Sequence, residues 1–195
     1  MAEIKLFNVY EVIGNLIEDN ISDPAGKAKW VFPTFTTNDS SLPQVTVKVL
    51  SPTYEDDSAD SFLEGGAVED EGSVVYREKY YKKALVPVNV YVITGKTQSY
   101  ELGSGANARY LTNQPLNIYL AEQIKNLLWL KQENSDTFQN EFERLKVLGI
   151  DLAFRDEANT WASEIQLEVK YKDVWVKEYA EDGIVSVYSL NTNNY

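Results

Sequence analysis

A chain of 195 residues, 44% apolar and 12% aromatic, suits one domain with a packed core and excludes global disorder. It contains neither Cys nor His, which excludes disulfides, thiolate chemistry, Ser–His–Asp and Cys–His hydrolysis, and most zinc or non-heme iron sites. Its 30 acids against 18 Lys and Arg give a net charge of −12, which argues against wrapping nucleic acid and leaves catalysis only to carboxylates, Lys or Tyr.

The N-terminus, "MAEIKLFNVYEVIGNLIEDN", lacks a basic region followed by a continuous apolar core, so it does not read as a signal peptide. Within residues 4–21, Leu6, Val9, Tyr10, Ile13, Leu16 and Ile17 recur at spacings of three and four, which predicts an amphipathic helix. Gly14 weakens that helix by roughly 1 kcal/mol relative to Ala. "SDPAGK", Ser22 to Lys27, supplies the stop. "KWVFPTF" follows and reads as an edge strand or extended arm, because Pro33 cannot donate to a ladder. Val45, Val47 and Val49 then alternate with Thr46 and Lys48, the pattern of a half-buried strand.

"YEDDSADSFLEGGAVEDEGS", Tyr54 to Ser73, holds Glu55, Asp56, Asp57, Asp60, Glu64, Glu69, Asp70 and Glu71 and no base. With adjacent glycines and no periodicity, residues 53–73 read as a long acidic loop inserted between two strands, kept extended by self-repulsion. The best strand follows: Val86, Val88, Val90 and Val92 alternate with Pro87, Asn89, Tyr91 and Ile93, bulky enough that part of the second face is expected to be covered. Upstream, "YREKYYKK" sets Arg77, Lys79, Lys82 and Lys83 against Glu78, one strand's basic solvent face.

"GKTQSYELGSGANARYLTNQ" reads as a strand-to-helix loop. The next helix is capped by Thr112 or Asn113, takes Pro115 in its first turn and shows an apolar face of Leu116, Leu120, Ile124, Leu127 and Leu128. "ENSDTFQNEFERLKVLG" suggests a further short helix with Ser135 or Asp136 as cap. "VLGIDLAF", "EIQLEVKYKDVWVKEY" and "GIVSVYSL" read as strands. In the second, Ile165, Leu167, Val169 and Tyr171 share a face, and the phase slips near Asp173, which suggests a bulge. The expected fold is a single α+β domain over 1–195: a mostly antiparallel sheet with an N-terminal helix and one or two central helices packed on it.

An EF-hand needs Gly at its sixth position and Glu at its twelfth. Counting from Asp56 gives Ser61 and Ala67, and from Asp57 gives Phe62 and Val68, so the acidic stretch is no EF-hand. Paired catalytic carboxylates need rigid placement, which a charged loop does not give. Neither "GSGANAR" nor "GKT" completes a phosphate-binding glycine pattern. The aromatic and basic mixture in "YREKYYKK" suits single-strand binders, but more simply a solvent face or a partner for acids. Trp30, Phe32 and Phe35, on an extended segment, are either packed inside or form an interface, and the interface reading is preferred. No cofactor or metal ligand set emerges. No apolar run nears the roughly 20 residues of a membrane span, so a soluble chain is expected.

The order of an N-terminal amphipathic helix, "PQVTVKV", the long strand "YYKKALVPVNVYVITG", a Gly/Asn loop, the helix "LNIYLAEQIKNLL", "VLGIDLAF" and "EIQLEVKYKDVWV" resembles the tail terminator and neck proteins of tailed bacteriophages. The resemblance covers roughly residues 4–190 and lies in pattern, not in a diagnostic motif. It implies a non-enzymatic virion protein, assembled in the host cytoplasm. The subunit would form a homomeric ring, usually a hexamer, that caps the tail tube and docks on the head-side connector. Tail tube protein, connector protein and a sheath protein are the implied partners, with DNA passing through unbound and no membrane involved. The acidic stretch and the basic strand are then candidates for two complementary patches between subunits, or the acids line the lumen and repel phosphate. Two other classes stand beside it: a β-rich adhesin or carbohydrate-binding module, betrayed by a flat aromatic platform, and a carboxylate enzyme, betrayed by a deep pocket.

Overall fold

The computed structural model describes residues 2–34, 42–54, 61–70, 73–96, 99–102, 108–134, 143–155, 160–180 and 183–189. Helix α1 (Ala2–Asn20) turns Val9, Ile13 and Ile17, each one helical turn apart, into the core. Gly14 has a packing reason: a Cβ there would stand 3.4 Å from Val31 Cγ1, so the helix comes close to the next strand. Where the helix ends, the buried Asp23 carboxylate accepts the amides of Ala25 at 3.1 Å and Lys27 at 2.8 Å, and Gly26 takes a φ of 71°. Glu18 Oε1 accepts the amides of Trp30 at 3.2 Å and Val31 at 3.0 Å, tying the helix to β1 (Val31–Phe32).

Strand β1 runs parallel to the edge of β2 (Gln44–Val49), as the edge-strand reading of "KWVFPTF" expects. β2 pairs antiparallel with β5 (Ser73–Gly95), a strand of 23 residues and about 75 Å at ~3.3 Å per residue. β5 pairs in turn with β9 (Thr160–Ala180) in an unbroken antiparallel register from Tyr76 opposite Tyr179 to Gly95 opposite Thr160. β8 (Arg144–Arg155) covers the far edge of β9 with two register shifts. Both helices lie on one face of this sheet. Leu116, Leu120, Ala121, Ile124 and Leu128 of α2 (Asn113–Asn134) join the α1 residues, Val86, Val88, Val90 and Val92, and Ile165, Leu167, Val169 and Tyr171 in one core cluster. Each such side chain contributes about 1.5–3 kcal/mol when fully buried. The sheet is mostly antiparallel and carries the helices on one side, so the α+β expectation holds at this level.

Among the buried polar residues, Asn117 is held by side-chain hydrogen bonds. Asn117 Nδ2 donates to the carbonyls of Val92 and Trp161, both at 2.8 Å, and Ser163 Oγ donates to Asn117 Oδ1 at 2.5 Å. These bonds fix the first turn of α2 against the two central strands. The second face of the sheet is partly covered, as its bulk suggested: Leu42, Ile93 and Ala162 form a small cluster with Tyr91.

Several expectations need correction. The stretch 53–73 is not one loop. Strand β3 (Thr53–Tyr54) pairs with Leu85 and Ala84, and β4 (Ser61–Asp70) pairs with β5 from Ser61 opposite Tyr81 to Asp70 opposite Ser73. Its glycines and acids hide it from any strand preference, and only the long partner β5 supplies the ladder. The loop before α2 holds a hairpin, β6 (Ser99–Leu102) with β7 (Arg109–Thr112). Arg144–Leu148 is strand rather than helix, while the proposed caps Ser135 and Asp136 lie outside the described residues. Finally, there is no bulge at Asp173: Lys82 sits opposite it in regular register. The phase slips because the buried face changes. Ile165, Leu167, Val169 and Tyr171 are buried under the helices, whereas Val174 and Val176, buried beyond Asp173, point to the opposite face.

A candidate assembly surface

Past Ala84 and Tyr171 the two central strands leave the helices and continue as an arm. The hairpin partner β4 lies on one side of it and β10 (Gly183–Ser189) on the other, giving the all-antiparallel order β4-β5-β9-β10. From Ser73 to Lys83 the arm is about 35 Å long at ~3.3 Å per residue. The pairs Asp70–Ser73 and Ala180–Gly183 lie at the same end of it.

On the face continuous with the core, paired positions carry paired chemistry. Tyr76 faces Tyr179, Glu78 faces Lys177, Tyr80 faces Trp175 and Lys82 faces Asp173. The Tyr76 and Tyr179 rings lie 6.3 Å apart and tilted, and those of Tyr80 and Trp175 lie 6.4 Å apart and 15° from parallel. Lys177 Nζ sits 4.3 Å from the Tyr80 ring centre, and Lys82 Nζ sits 5.9 Å from the Trp175 ring centre. Tyr80 donates its hydroxyl to Glu78 Oε2 at 2.6 Å. That bond, a second from Tyr179 and the nearby Lys177 ammonium hold the Glu78 carboxyl below its ordinary pKa. The same carboxylate raises the Tyr80 and Tyr179 hydroxyls above theirs. At the root of the arm Tyr54 donates to Asp173 Oδ2 at 3.1 Å, and burial together with Asp173 raises both Tyr54 and Tyr171.

The other face is simpler. Arg77 Nε meets Glu178 Oε1 at 2.5 Å, and Lys79, Tyr81 and Lys83 share that face with Val174 and Val176. Further along, over the body, this face carries no helix among the described residues. Asn89 donates to Tyr91, Tyr91 donates to Glu164, and Arg144 pairs with Glu168 at 2.9 Å.

The sequence-predicted residues fall in several places. Trp30 is 2% exposed and belongs to the core, so it follows the packed alternative and not the preferred interface reading. Phe32 is half-buried, and Phe35 lies outside the described residues. Arg77, Lys79 and Lys83 share one face, while Lys82 lies on the other, because a strand alternates sides; "YREKYYKK" is therefore not one basic face. Glu64, Glu69 and Asp70 belong to β4, opposite Lys79, Val74 and Ser73, and Glu55, Asp56, Asp57, Asp60 and Glu71 lie outside the described residues. Glu64, Glu69 and Asp70 thus sit on the strand that pairs directly with the basic one.

Sequence reasoning missed Tyr80, Trp175, Lys177, Glu78 and Tyr179. The signal was present: "YREKYYK" and "DVWVKEY", read antiparallel, set aromatic against aromatic and acid against base. Among the described residues no three acidic side chains converge as a cation site, and no helix is long and apolar enough to cross a membrane. No known family model matches the chain, and no curated protein matches it.

Proposed function

We propose that the chain is a structural subunit of a homomeric ring, the tail terminator or neck ring that caps the tail tube of a bacteriophage and joins it to the head connector. The arm carries this reading. Its outer strands are β4 and β10, and among the described residues neither has a second neighbour. Because each step across β4-β5-β9-β10 reverses direction, β4 and β10 run opposite ways. A rotation about an axis along the arm leaves strand directions unchanged. It therefore brings β10 of one copy beside β4 of the next as an antiparallel pair. Such a contact is heterologous, and it closes into a ring when the rotation closes. Closure removes two open edges that would otherwise invite uncontrolled pairing.

The helices then belong outside the ring, since they would fill a channel. The opposite face, which among the described residues carries no helix and presents Asn89, Tyr91 and Glu164, lines the path for DNA. Assembly in the host cytoplasm and a place in the virion follow from this role, with tube, connector and sheath proteins as neighbours and no catalytic step. The carbohydrate-module alternative has less support, because the ring faces of Tyr80 and Trp175 are taken up by Lys177 and Lys82 instead of lying open.

The test is the mass of the purified protein across concentration, with electron microscopy of the large fractions. Closed rings, alone or on addition of tail-tube protein, support the reading. A monomer at all concentrations that ignores tube protein sinks it.

A further inference from the structure

Exposed apolar side chains gather on one flank of the body. Trp129 and Leu130 of α2 and Leu148 and Leu152 of β8 are all exposed, Leu148 at 51% and Leu152 at 42%, and α2 packs on β8. A lone exposed leucine is ordinary on a protein surface, but several on one flank mark a contact.

The two leucines share a second feature. Both fall where the β8–β9 register slips, Leu148 between Val147 and Gly149 and Leu152 between Asp151 and Phe154. A bulge adds a residue with no partner across the ladder, bends the strand and redirects a side chain. A bulged strand is also a poor template for another strand. What meets β8 there meets side chains and not a new ladder.

Strand order fixes which side of the subunit this is. β8 and β10 both pair with the edge of β9 that faces away from β5, while β2, β3 and β4 all pair with the edge of β5 that faces away from β9. Copies that join β10 to β4 therefore turn β8 toward the same neighbour. Register fixes the height. Leu152 and Ala153 together stand opposite Ser163, Ser163 pairs with Val92, Val92 with Val45, and Val45 with Val31. Leu152 and Val31 are thus the two ends of one row across the body, as Ser186 and Gly66 are of one row across the arm. A rotation about an axis along the strands preserves height. The operation that sets Ser186 beside Gly66 of the next copy therefore brings Leu152 level with Val31 of that copy. Following Val31 at that end are Phe32, half-buried, and Pro33, exposed.

We infer that β8 is the body half of the contact between subunits: Leu148 and Leu152 of one copy pack on Phe32 and Pro33 of the next. The inference rests on the ring reading and adds to the arm edges an apolar contact that the ladder alone does not provide.

The double variant Leu148→Asp/Leu152→Asp tests it. Both positions are exposed, so the urea midpoint of the dilute monomer should stay within error of the parent. The concentration at which rings form, alone or with tail-tube protein, should rise by about tenfold or more, because the contact would bury unpaired charge. A covalent test stands beside it. Within one chain Leu152→Cys and Pro33→Cys lie on strands four spacings apart, about 19 Å, so a disulfide between them joins copies. The native chain has no Cys to confuse the result. Mild oxidation of the paired variant should give a ladder of oligomers, while each single Cys variant stops at dimers. If the Asp variant assembles like the parent, or the paired Cys variant stops at dimers while rings form, the inference falls and the ring reading stands. If the parent protein forms no ring with or without tube protein, the ring reading fails and takes this contact with it.

Discussion

Tyr80 and Trp175 face each other across the two long strands with ring planes 15° apart, and each ring carries a lysine, Lys177 over Tyr80 and Lys82 over Trp175. Aromatic pairs of this kind add about 0.5–1.5 kcal/mol beyond the area they bury. Among the described residues no helix lies beneath the arm, so cross-strand pairs are its main visible source of order. Tyr80→Ala and Trp175→Ala should each lower amide protection in the arm, and the double variant should cost less than the two singles together. Protection of the buried body amides, Val88 to Val92 and Ile165 to Val169, should stay within error. Equal losses in arm and body would refute the separation.

Asn117 is the most exacting residue of the body. Its side chain serves two carbonyls and one hydroxyl, all at the α2–sheet junction. Asn117→Leu removes the buried donor that serves the carbonyls of Val92 and Trp161. Stranding buried polar groups costs about 1–3 kcal/mol each, so a clear drop in the urea midpoint is expected. Asn117→Asp, which keeps the acceptor for Ser163 but loses the two donations, should also lower the midpoint. If neither variant lowers the midpoint, the network is not what holds α2.

What could be read directly from the sequence was whatever local periodicity encodes. Val9, Ile13 and Ile17 of α1, Leu116, Leu120, Ile124 and Leu128 of α2 and the alternate valines of β5 are buried as their spacing selects, with Tyr10, Leu16 and Leu127 partly so. β4 was hidden because "FLEGGAVED" has no strand preference of its own, and its pairing is imposed by a neighbour that the local pattern cannot announce. The slip at Asp173 was visible but ambiguous, since a bulge and a change of buried face give the same shift in phase. Choosing between them requires knowing where the helices stop. Trp30 illustrates another limit: composition cannot tell a core aromatic from an interface one when the segment that carries it is short.

Titration should reach the arm through Glu78. Its carboxyl is held below the ordinary value by the Tyr80 and Tyr179 hydroxyls and then by Lys177. A depressed folded-state pKa adds stability that is present above the unfolded value, about 4.3, and is lost as pH falls through the folded one. The tyrosines have the opposite sense. Tyr80, Tyr179, Tyr54 and Tyr171 are raised, so stability present below about pH 10 is lost as pH climbs through their folded values. Glu78→Gln should flatten the acid side of the arm's stability profile, and Tyr80→Phe should flatten part of the alkaline side. Profiles identical to the parent would show that these bonds do not form in solution.

The ring reading makes a covalent prediction. Gly66 lies opposite Arg77, Arg77 opposite Glu178, and Glu178 opposite Ser186, so Gly66 and Ser186 occupy one row at the two outer edges of the arm. Within one chain three strand spacings, about 14 Å, separate them, well beyond the reach of a disulfide. Between copies joined β10 to β4 the edges touch. Gly66→Cys combined in turn with Ser186→Cys and with Tyr188→Cys should therefore give, on mild oxidation, a ladder of covalent oligomers ending at one closed species, with the best yield at the partner nearest the true stagger. The single Cys variants should stop at dimers. If the paired variants also stop at dimers while electron microscopy still shows rings, the subunits close through the body instead of the arm. If neither ladder nor rings form, with or without tube protein, the chain is not a ring subunit.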